Sequence, residues 1–159
     1  MPKILIVYYS RSGNTEKMAQ AVAAGAKEVS GAEVEARPVG EVTPDDLLAA
    51  DGIIMGSPVY FGTMAAELKS LVDESVKHYG KFTGKVGGAF ASSGAIGGGT
   101  ETTVLDILKA MLIHGMIVQG TTEGAHYGGV AFGEPDERAV KDCRGLGRRV
   151  AELVVRLAK

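Results

Sequence analysis

Short apolar runs alternate along this chain with stretches of helical periodicity, and this alternation limits the folds that the chain can adopt. The runs predict five strands, which are Lys3–Tyr9, Ala32–Arg37, Gly52–Gly56, Val86–Ala91 and Met116–Gln119. Between them, apolar residues recur every three or four positions, which predicts helices. Strands that alternate with helices are typical of a parallel, doubly wound α/β sheet.

The first, third and fourth runs are continuously apolar, which is typical of strands covered by helices on both faces of the sheet. The chain has 159 residues and shows no repeat, low-complexity tract or linker. We therefore expect one domain that spans residues 1–159.

The charge balance excludes some classes of protein. Seventeen Lys and Arg residues face 19 Asp and Glu residues, for a formal net charge of −2, which gives no basic surface for nucleic acid. The single cysteine, Cys143, cannot form an internal disulfide, and this favours a cytoplasmic protein. No apolar run is long enough to predict a membrane span.

Small polar residues follow the first predicted strand and lead directly into a helix. They are Ser10, Arg11, Ser12, Gly13, Asn14 and Thr15. Backbone N–H groups and hydroxyls can converge in such a loop, and the helix start adds partial positive charge, so the pattern favours a phosphate. An ordinary capped turn between strand and helix is the alternative. The loop has neither the lysine of a Walker A motif nor the G-x-G-x-x-G spacing.

Two more loops follow the third and fourth predicted strands. The former contains Pro58, Val59, Tyr60, Phe61 and Gly62, whose paired aromatics suit a flat ligand; the alternative is that an aromatic packs back on the neighbouring helix. The latter contains Ser92, Ser93, Gly94, Ala95, Ile96, Gly97, Gly98 and Gly99, where bare backbone could line the edge of such a ligand; a merely flexible loop is the alternative. In a parallel sheet these loops meet at one edge, and a phosphate with a planar heterocycle describes FMN.

These motifs resemble the flavodoxin-like superfamily and, within it, the WrbA-type NAD(P)H:quinone oxidoreductases. The matching stretches include Ile6-Val7-Tyr8-Tyr9-Ser10, Gly56-Ser57-Pro58, Phe61-Gly62, Ser92-Ser93, Gly97-Gly98-Gly99 and His114-Gly115-Met116. The resemblance runs from residue 3 to about residue 120 and resumes weakly at Tyr127-Gly128 and in the last helix.

The resemblance implies a five-stranded parallel sheet in the order 2-1-3-4-5 with helices on both faces. It further implies FMN phosphate contacts from Ser10–Thr15 and flavin-ring contacts from Val59–Phe61 and Ser93–Gly98. Such proteins pass a hydride from NAD(P)H to FMN and then two electrons to a quinone or similar acceptor. The chain is therefore expected to be an FMN-dependent oxidoreductase with a small-molecule acceptor.

The chain departs from this family in three ways. Ile113 stands where the family has a flavin-site histidine, Trp is absent, and insertions after the second and fifth strands are missing. A flavodoxin-type electron carrier that binds a redox partner protein stays open as an alternative, as does an FMN-binding regulatory module without catalysis. A homodimer or a higher homo-oligomer also stays open, and so does the choice between NADH and NADPH.

Two residue patterns outside the three loops concern catalysis. His126 and Tyr127 are candidates for residues that reach over the flavin and help to hold nicotinamide or quinone. Cys143 and Arg149 have the C-x5-R spacing of small tyrosine phosphatases, but Cys143 falls on the apolar stripe of a helix, which favours a buried core thiol. The three histidines lack the spacing of metal ligands, and no metal is expected.

Overall fold

Seven strands and five helices follow one another in the computed structural model, which describes residues 1–159. The strands are β1 (Lys3–Tyr8), β2 (Glu33–Pro38), β3 (Gly52–Tyr60), β4 (Thr63–Met64), β5 (Val86–Ser93), β6 (Ile117–Val118) and β7 (Val130–Phe132). The helices are α1 (Asn14–Lys27), α2 (Pro44–Ala49), α3 (Ala66–Glu74), α4 (Thr100–Ile113) and α5 (Glu137–Leu157). Single 3-10 turns cover Val39–Glu41 and Ser75–His78.

All strands belong to one sheet, which runs in the order β2-β1-β3-β5-β6. These strands are parallel, and β7 also pairs in parallel with β5. The short β4 is the exception, because it folds back antiparallel on β3. With β4 set aside and β6 and β7 counted as one position, the predicted order 2-1-3-4-5 is confirmed.

The fifth position of the sheet is divided between two short strands. The start of β5 pairs with β6, as in Val86 opposite Ile117, and its end pairs with β7, as in Ala91 opposite Val130. The sequence predicts no strand between residues 121 and 135, and this is wrong, because the chain returns to the sheet as β7 after a loop. Ala91 N–H donates to the Gly129 carbonyl at 3.0 Å where it returns.

Both faces of the sheet carry a core. Along β1, Leu5 and Val7 are buried on the face that α4 covers, whereas Ile4 and Ile6 are buried against α1 and α5. This alternation is the two-residue period of a strand, and it explains why a run with two covered faces is apolar throughout. None of the five helices combines the length and the apolar character that crossing a membrane requires.

Helices α1 and α5 approach each other so closely that there is no room for a side chain at Gly25 or at Gly147. A methyl group added at Gly147 would lie 1.9 Å from the Val22 carbonyl oxygen, and one added at Gly25 would lie 1.9 Å from the Arg144 carbonyl oxygen. Across the same contact, Arg144 and Arg148 both bind the carboxylate of Glu28, and their hydrogen bonds hold its pKa below the usual value. The C-terminal half of α1 is thereby held closely against α5.

Replacing Gly147 with alanine is expected to lower the free energy of unfolding by about 2 kcal/mol, because the new methyl group collides with backbone. Gly145→Ala is the matched control, since a methyl group at this position of α5 meets nothing within 4 Å. That control is expected to raise the free energy by up to ~1 kcal/mol through helix propensity. Urea unfolding measures both, and equal effects would contradict the tight contact.

Candidate functional site

The first loop, Ser10–Thr15, folds around the hydroxyl of Ser10. This oxygen accepts hydrogen bonds from the backbone N–H groups of Gly13 and Glu16, each at 3.2 Å. Because the acceptor lies at the start of the loop and the donors lie at the N-cap and in the first turn of α1, the loop curls over the start of this helix. The loop therefore has a defined shape of its own.

Other N–H groups of the first loop have no acceptor within the protein. Those of Ser12, Asn14 and Thr15 donate to no atom of the chain. The N-terminal N–H groups of a helix carry partial positive charge, and an anion satisfies them best. The donor set therefore fits the phosphate of FMN.

A buried hydroxyl pair connects the first loop to the end of β5. Thr15 Oγ1 lies 2.9 Å from Ser92 Oγ, and both residues are buried. Ser92 belongs to the strand, where it is opposite Pro58 of β3. The first loop is thus linked to the ends of the two central strands.

The predicted second loop is a β-hairpin. Pro58, Val59 and Tyr60, which were predicted to lie in a loop, are the last residues of β3, and Val59 pairs with Met64 of β4. The prediction ended the strand too early because this hairpin pairing extends it. The two turn residues, Phe61 and Gly62, have φ angles of 50° and 79°, and positive φ at both positions is what a type I′ turn requires.

The two aromatics of this hairpin have different surroundings. Tyr60 packs edge to face on Tyr9, with ring centroids 6.4 Å apart and an interplanar angle of 72°. Phe61 is fully exposed at the tip, although positive φ is unfavourable for a bulky residue. Tyr60 therefore packs against its neighbour, and Phe61 is the aromatic that is free to contact a ligand.

The glycine loop, Ser93–Gly99, is internally bonded and touches the hairpin. Ser93 Oγ donates to the Ala95 carbonyl at 2.7 Å, and Gly98 N–H donates to the same carbonyl at 3.1 Å. Gly99 has a φ of 114°, and a methyl group added there would lie 2.9 Å from Gly62 Cα. The structure therefore brings the first loop, the hairpin and the glycine loop together at one edge of the sheet, as the sequence predicts.

His126 and Tyr127 lie in the loop between β6 and β7. His126 Nδ1 is 2.9 Å from the Thr121 carbonyl oxygen, and Tyr127 is exposed. Both line a cavity of about 410 Å³ whose other walls include Glu101, Val104, Arg138 and Asp142. No residue of the first loop, the hairpin or the glycine loop lines this cavity. A contact of His126 or Tyr127 with the flavin stays a prediction.

The largest cavity, about 800 Å³, was not predicted from the sequence. This groove lies between the end of β1, the segment after β2 and helix α3. Its lining includes Tyr8, Tyr9, Ser10, Glu16, Val39, Glu67, Ser70, Leu71 and Glu74, and it includes no lysine or arginine. Burial and the Glu67 carboxylate raise the pKa of Tyr9. The helical spacing of Glu67, Ser70 and Glu74 was a signal for a polar face, but nothing in it shows what that face meets.

Cys143 and His114 are outside the candidate site. Cys143 lies inside α5, and burial raises the pKa of its thiol to about 12, which excludes the thiolate that a phosphatase needs. His114 ends α4 with its ring 4.5 Å from the ring of Phe82, and its Nε2 is 2.7 Å from Ser75 Oγ. Burial lowers the pKa of this imidazole.

Comparison with known proteins agrees with this geometry. Residues 43–127, more than half of the chain, match the family described as NADPH-dependent FMN reductase. A flavodoxin of Aquifex aeolicus is 41% identical over 97% of this chain and 88% of its own length. An NAD(P)H dehydrogenase (quinone) of Archaeoglobus fulgidus is 34% identical over 99% of this chain and all of its own. The structure of a WrbA-like flavodoxin from Agrobacterium tumefaciens superposes with a TM-score of 0.81 at 31% identity over the full length of both chains.

The fold and the three connected loops define the class, a flavodoxin-like α/β protein. The chain belongs to the NADPH-dependent FMN reductase family within that class. The predicted resemblance to WrbA-type proteins is confirmed, and at the level of the family so are FMN as cofactor and NAD(P)H as co-substrate. The alignment with the Archaeoglobus relative spans 191 positions, so that relative carries segments that this chain of 159 residues lacks.

Replacing Phe61 with asparagine is expected to stabilise the FMN-free protein by about 1 kcal/mol, because asparagine tolerates positive φ and no buried contact is lost. The same change is expected to weaken FMN binding about tenfold if Phe61 makes the predicted aromatic contact with the ring. Urea unfolding and flavin fluorescence titration measure the two effects. Unchanged FMN affinity would show that Phe61 does not contact the flavin.

Protonation of His114 is expected to destabilise the protein. Its pKa in the folded state is lower than the 6.5 of a free imidazole, so its stabilising contribution is complete above that value and is lost as the pH falls below it. Between about pH 7.5 and about pH 5.5, the free energy of unfolding should fall more in the wild type than in His114→Gln. His78 and His126 are present in both proteins, so parallel pH profiles would contradict the effect of burial.

Proposed function

We propose that this protein binds FMN at the first loop, the hairpin and the glycine loop, and uses it to oxidise NAD(P)H and reduce a quinone or similar acceptor. The observation that carries the proposal is the set of unpaired N–H groups at the start of α1, next to an exposed aromatic and a bare backbone loop. Each part matches one portion of FMN, namely the phosphate and the two sides of the ring.

The first loop would hold the phosphate. The N–H groups of Ser12, Asn14 and Thr15 supply donors, and the start of α1 adds favourable partial charge. Because the loop is already folded around Ser10, little conformational entropy is lost on binding. A tight anchor at the phosphate fixes where the rest of the cofactor lies.

The hairpin and the glycine loop would hold the isoalloxazine ring. Phe61 offers an aromatic face, and the N–H groups of Gly94, Ala95, Ile96 and Gly97 donate to no atom of the chain, so they are available to carbonyl groups at the ring edge. Donors at that edge stabilise negative charge on the ring, and in this way backbone groups tune the electronic properties of a bound flavin. FMN itself, when bound, accepts a hydride and returns two electrons.

The residues of the chain then position the flavin ring and leave one of its faces accessible. Hydride transfer needs the nicotinamide flat against the ring at near-contact distance, so one ring face has to stay open to a substrate. The chain has no tryptophan to cover that face. The names of its relatives support the same activity, since the Archaeoglobus protein is an NAD(P)H dehydrogenase (quinone).

A flavodoxin-type carrier is the second candidate, and the groove beside the first loop is the observation that favours it. Glu16, Glu67 and Glu74 line this groove without a basic residue, so it is complementary to a positively charged partner protein. The 41% identity to the Aquifex flavodoxin supports this candidate as well. The two functions predict different reductants for the same bound cofactor.

Rapid anaerobic mixing of the FMN-loaded protein with NADH or NADPH separates these two functions. For an oxidoreductase we expect the flavin absorbance to bleach within one turnover and to return when a soluble quinone is added. Glu74→Gln, in the groove and outside the three flavin segments, is the matched variant and should bleach at the wild-type rate.

A protein that stays yellow with both nicotinamides, yet is reduced by one-electron donors, would contradict the oxidoreductase. In that case Glu74→Gln should slow reduction by a basic partner protein, and the slowing should disappear at high salt.

A further inference from the structure

Thr15 and Ser92 form the one direct side-chain hydrogen bond between the first loop and β5. Thr15 is 2% exposed and Ser92 is 6% exposed, and their oxygens lie 2.9 Å apart. Neither hydroxyl has another hydrogen-bond partner in the chain. A hydroxyl has one hydrogen and can accept two, so this pair uses one of its two hydrogens internally and has one left to donate.

The direction of this bond decides what the first loop presents to an anion. If Thr15 donates to Ser92, the remaining hydrogen lies on Ser92, and Thr15 shows only lone pairs to the space above α1. If Ser92 donates to Thr15, the hydrogen of Thr15 is free to join the unpaired N–H groups beside it. A phosphate dianion favours the second arrangement, since it accepts charge-assisted hydrogen bonds and repels lone pairs.

We propose that Ser92 is a positioning residue that acts through Thr15: its hydroxyl donates to Thr15 Oγ1 and thereby directs the Thr15 hydrogen toward the phosphate of FMN. The inference rests on the proposed binding of the phosphate at the first loop. The sequence makes Ser92 a candidate cofactor-binding residue without assigning it to a part of FMN, and this inference gives it the role of a second hydroxyl behind the phosphate site.

The placement of Ser92 suits this role. Its backbone lies in the sheet between Pro58 of β3 and Ala131 of β7, so strand pairing on both sides fixes the position of its hydroxyl. Thr15 lies in the first turn of α1, where its backbone N–H also faces the candidate phosphate position. A donor chain from Ser92 through Thr15 to an anion polarises in one direction, and each bond strengthens the next.

The test compares FMN with riboflavin, which has the same ring and no phosphate. Ser92→Ala is expected to weaken FMN binding about tenfold and to leave riboflavin binding unchanged, because only the phosphate contact depends on the relay. Calorimetric titration of the flavin-free protein gives both dissociation constants. Ser75→Ala is the matched control, since it also removes a buried serine hydroxyl that bonds a side chain, but at His114, far from the site.

Thr15→Ala and the double variant complete the cycle. If Ser92 acts through Thr15, the double variant binds FMN as tightly as Thr15→Ala alone, because the relay is already broken. Additive losses, or an equal loss for FMN and riboflavin in Ser92→Ala, would overturn the inference. If the wild type binds FMN no more tightly than riboflavin, the proposed phosphate site itself is wrong. That result differs from one in which Thr15→Ala weakens FMN binding and Ser92→Ala does not, which would overturn only the role of Ser92.

Discussion

Amide N–H groups at the start of α1 have no acceptor within the chain, and the organisation of this edge of the sheet depends on that fact. An unpaired donor costs free energy once water is excluded from it, so a loop that gathers several of them is stable only with water or an anion in front. One contact holds this helix start in place without the anion, because Thr15 joins Ser92 at the end of β5. Farther along the helix, Gly147 lets α5 pack closely on α1. The site is therefore preorganised, which lowers the cost of binding.

Most of the correct predictions depended on patterns formed by residues that are close together in the sequence. The first loop was predicted because Ser10–Thr15 lies between an apolar strand and an amphipathic helix, and both signals are local. The sheet order followed from the resemblance to a known family. The hairpin was missed because Pro58 is typical of a strand end, whereas the pairing of Val59 with Met64 that prolongs β3 involves residues on both sides of a turn.

Contacts between segments that are far apart in the chain could not be predicted from the sequence. The last position of the sheet is split between β6 and β7 because the chain returns to β5 near Gly129. The local spacing of apolar residues does not predict that return. The acidic groove brings Glu16 of α1 beside Glu67 and Glu74 of α3. Each carboxylate alone resembles one on an ordinary solvated helix face, so only the packed structure shows that they share a cavity.

A crystal structure of the protein with FMN tests the central claim most directly. The account predicts that phosphate oxygens accept hydrogen bonds from the N–H groups of Ser12, Asn14 and Thr15, with the ring between Phe61 and the glycine loop. A phosphate that points into solvent, or a flavin seated in the acidic groove with these amides bound only to water, would contradict it.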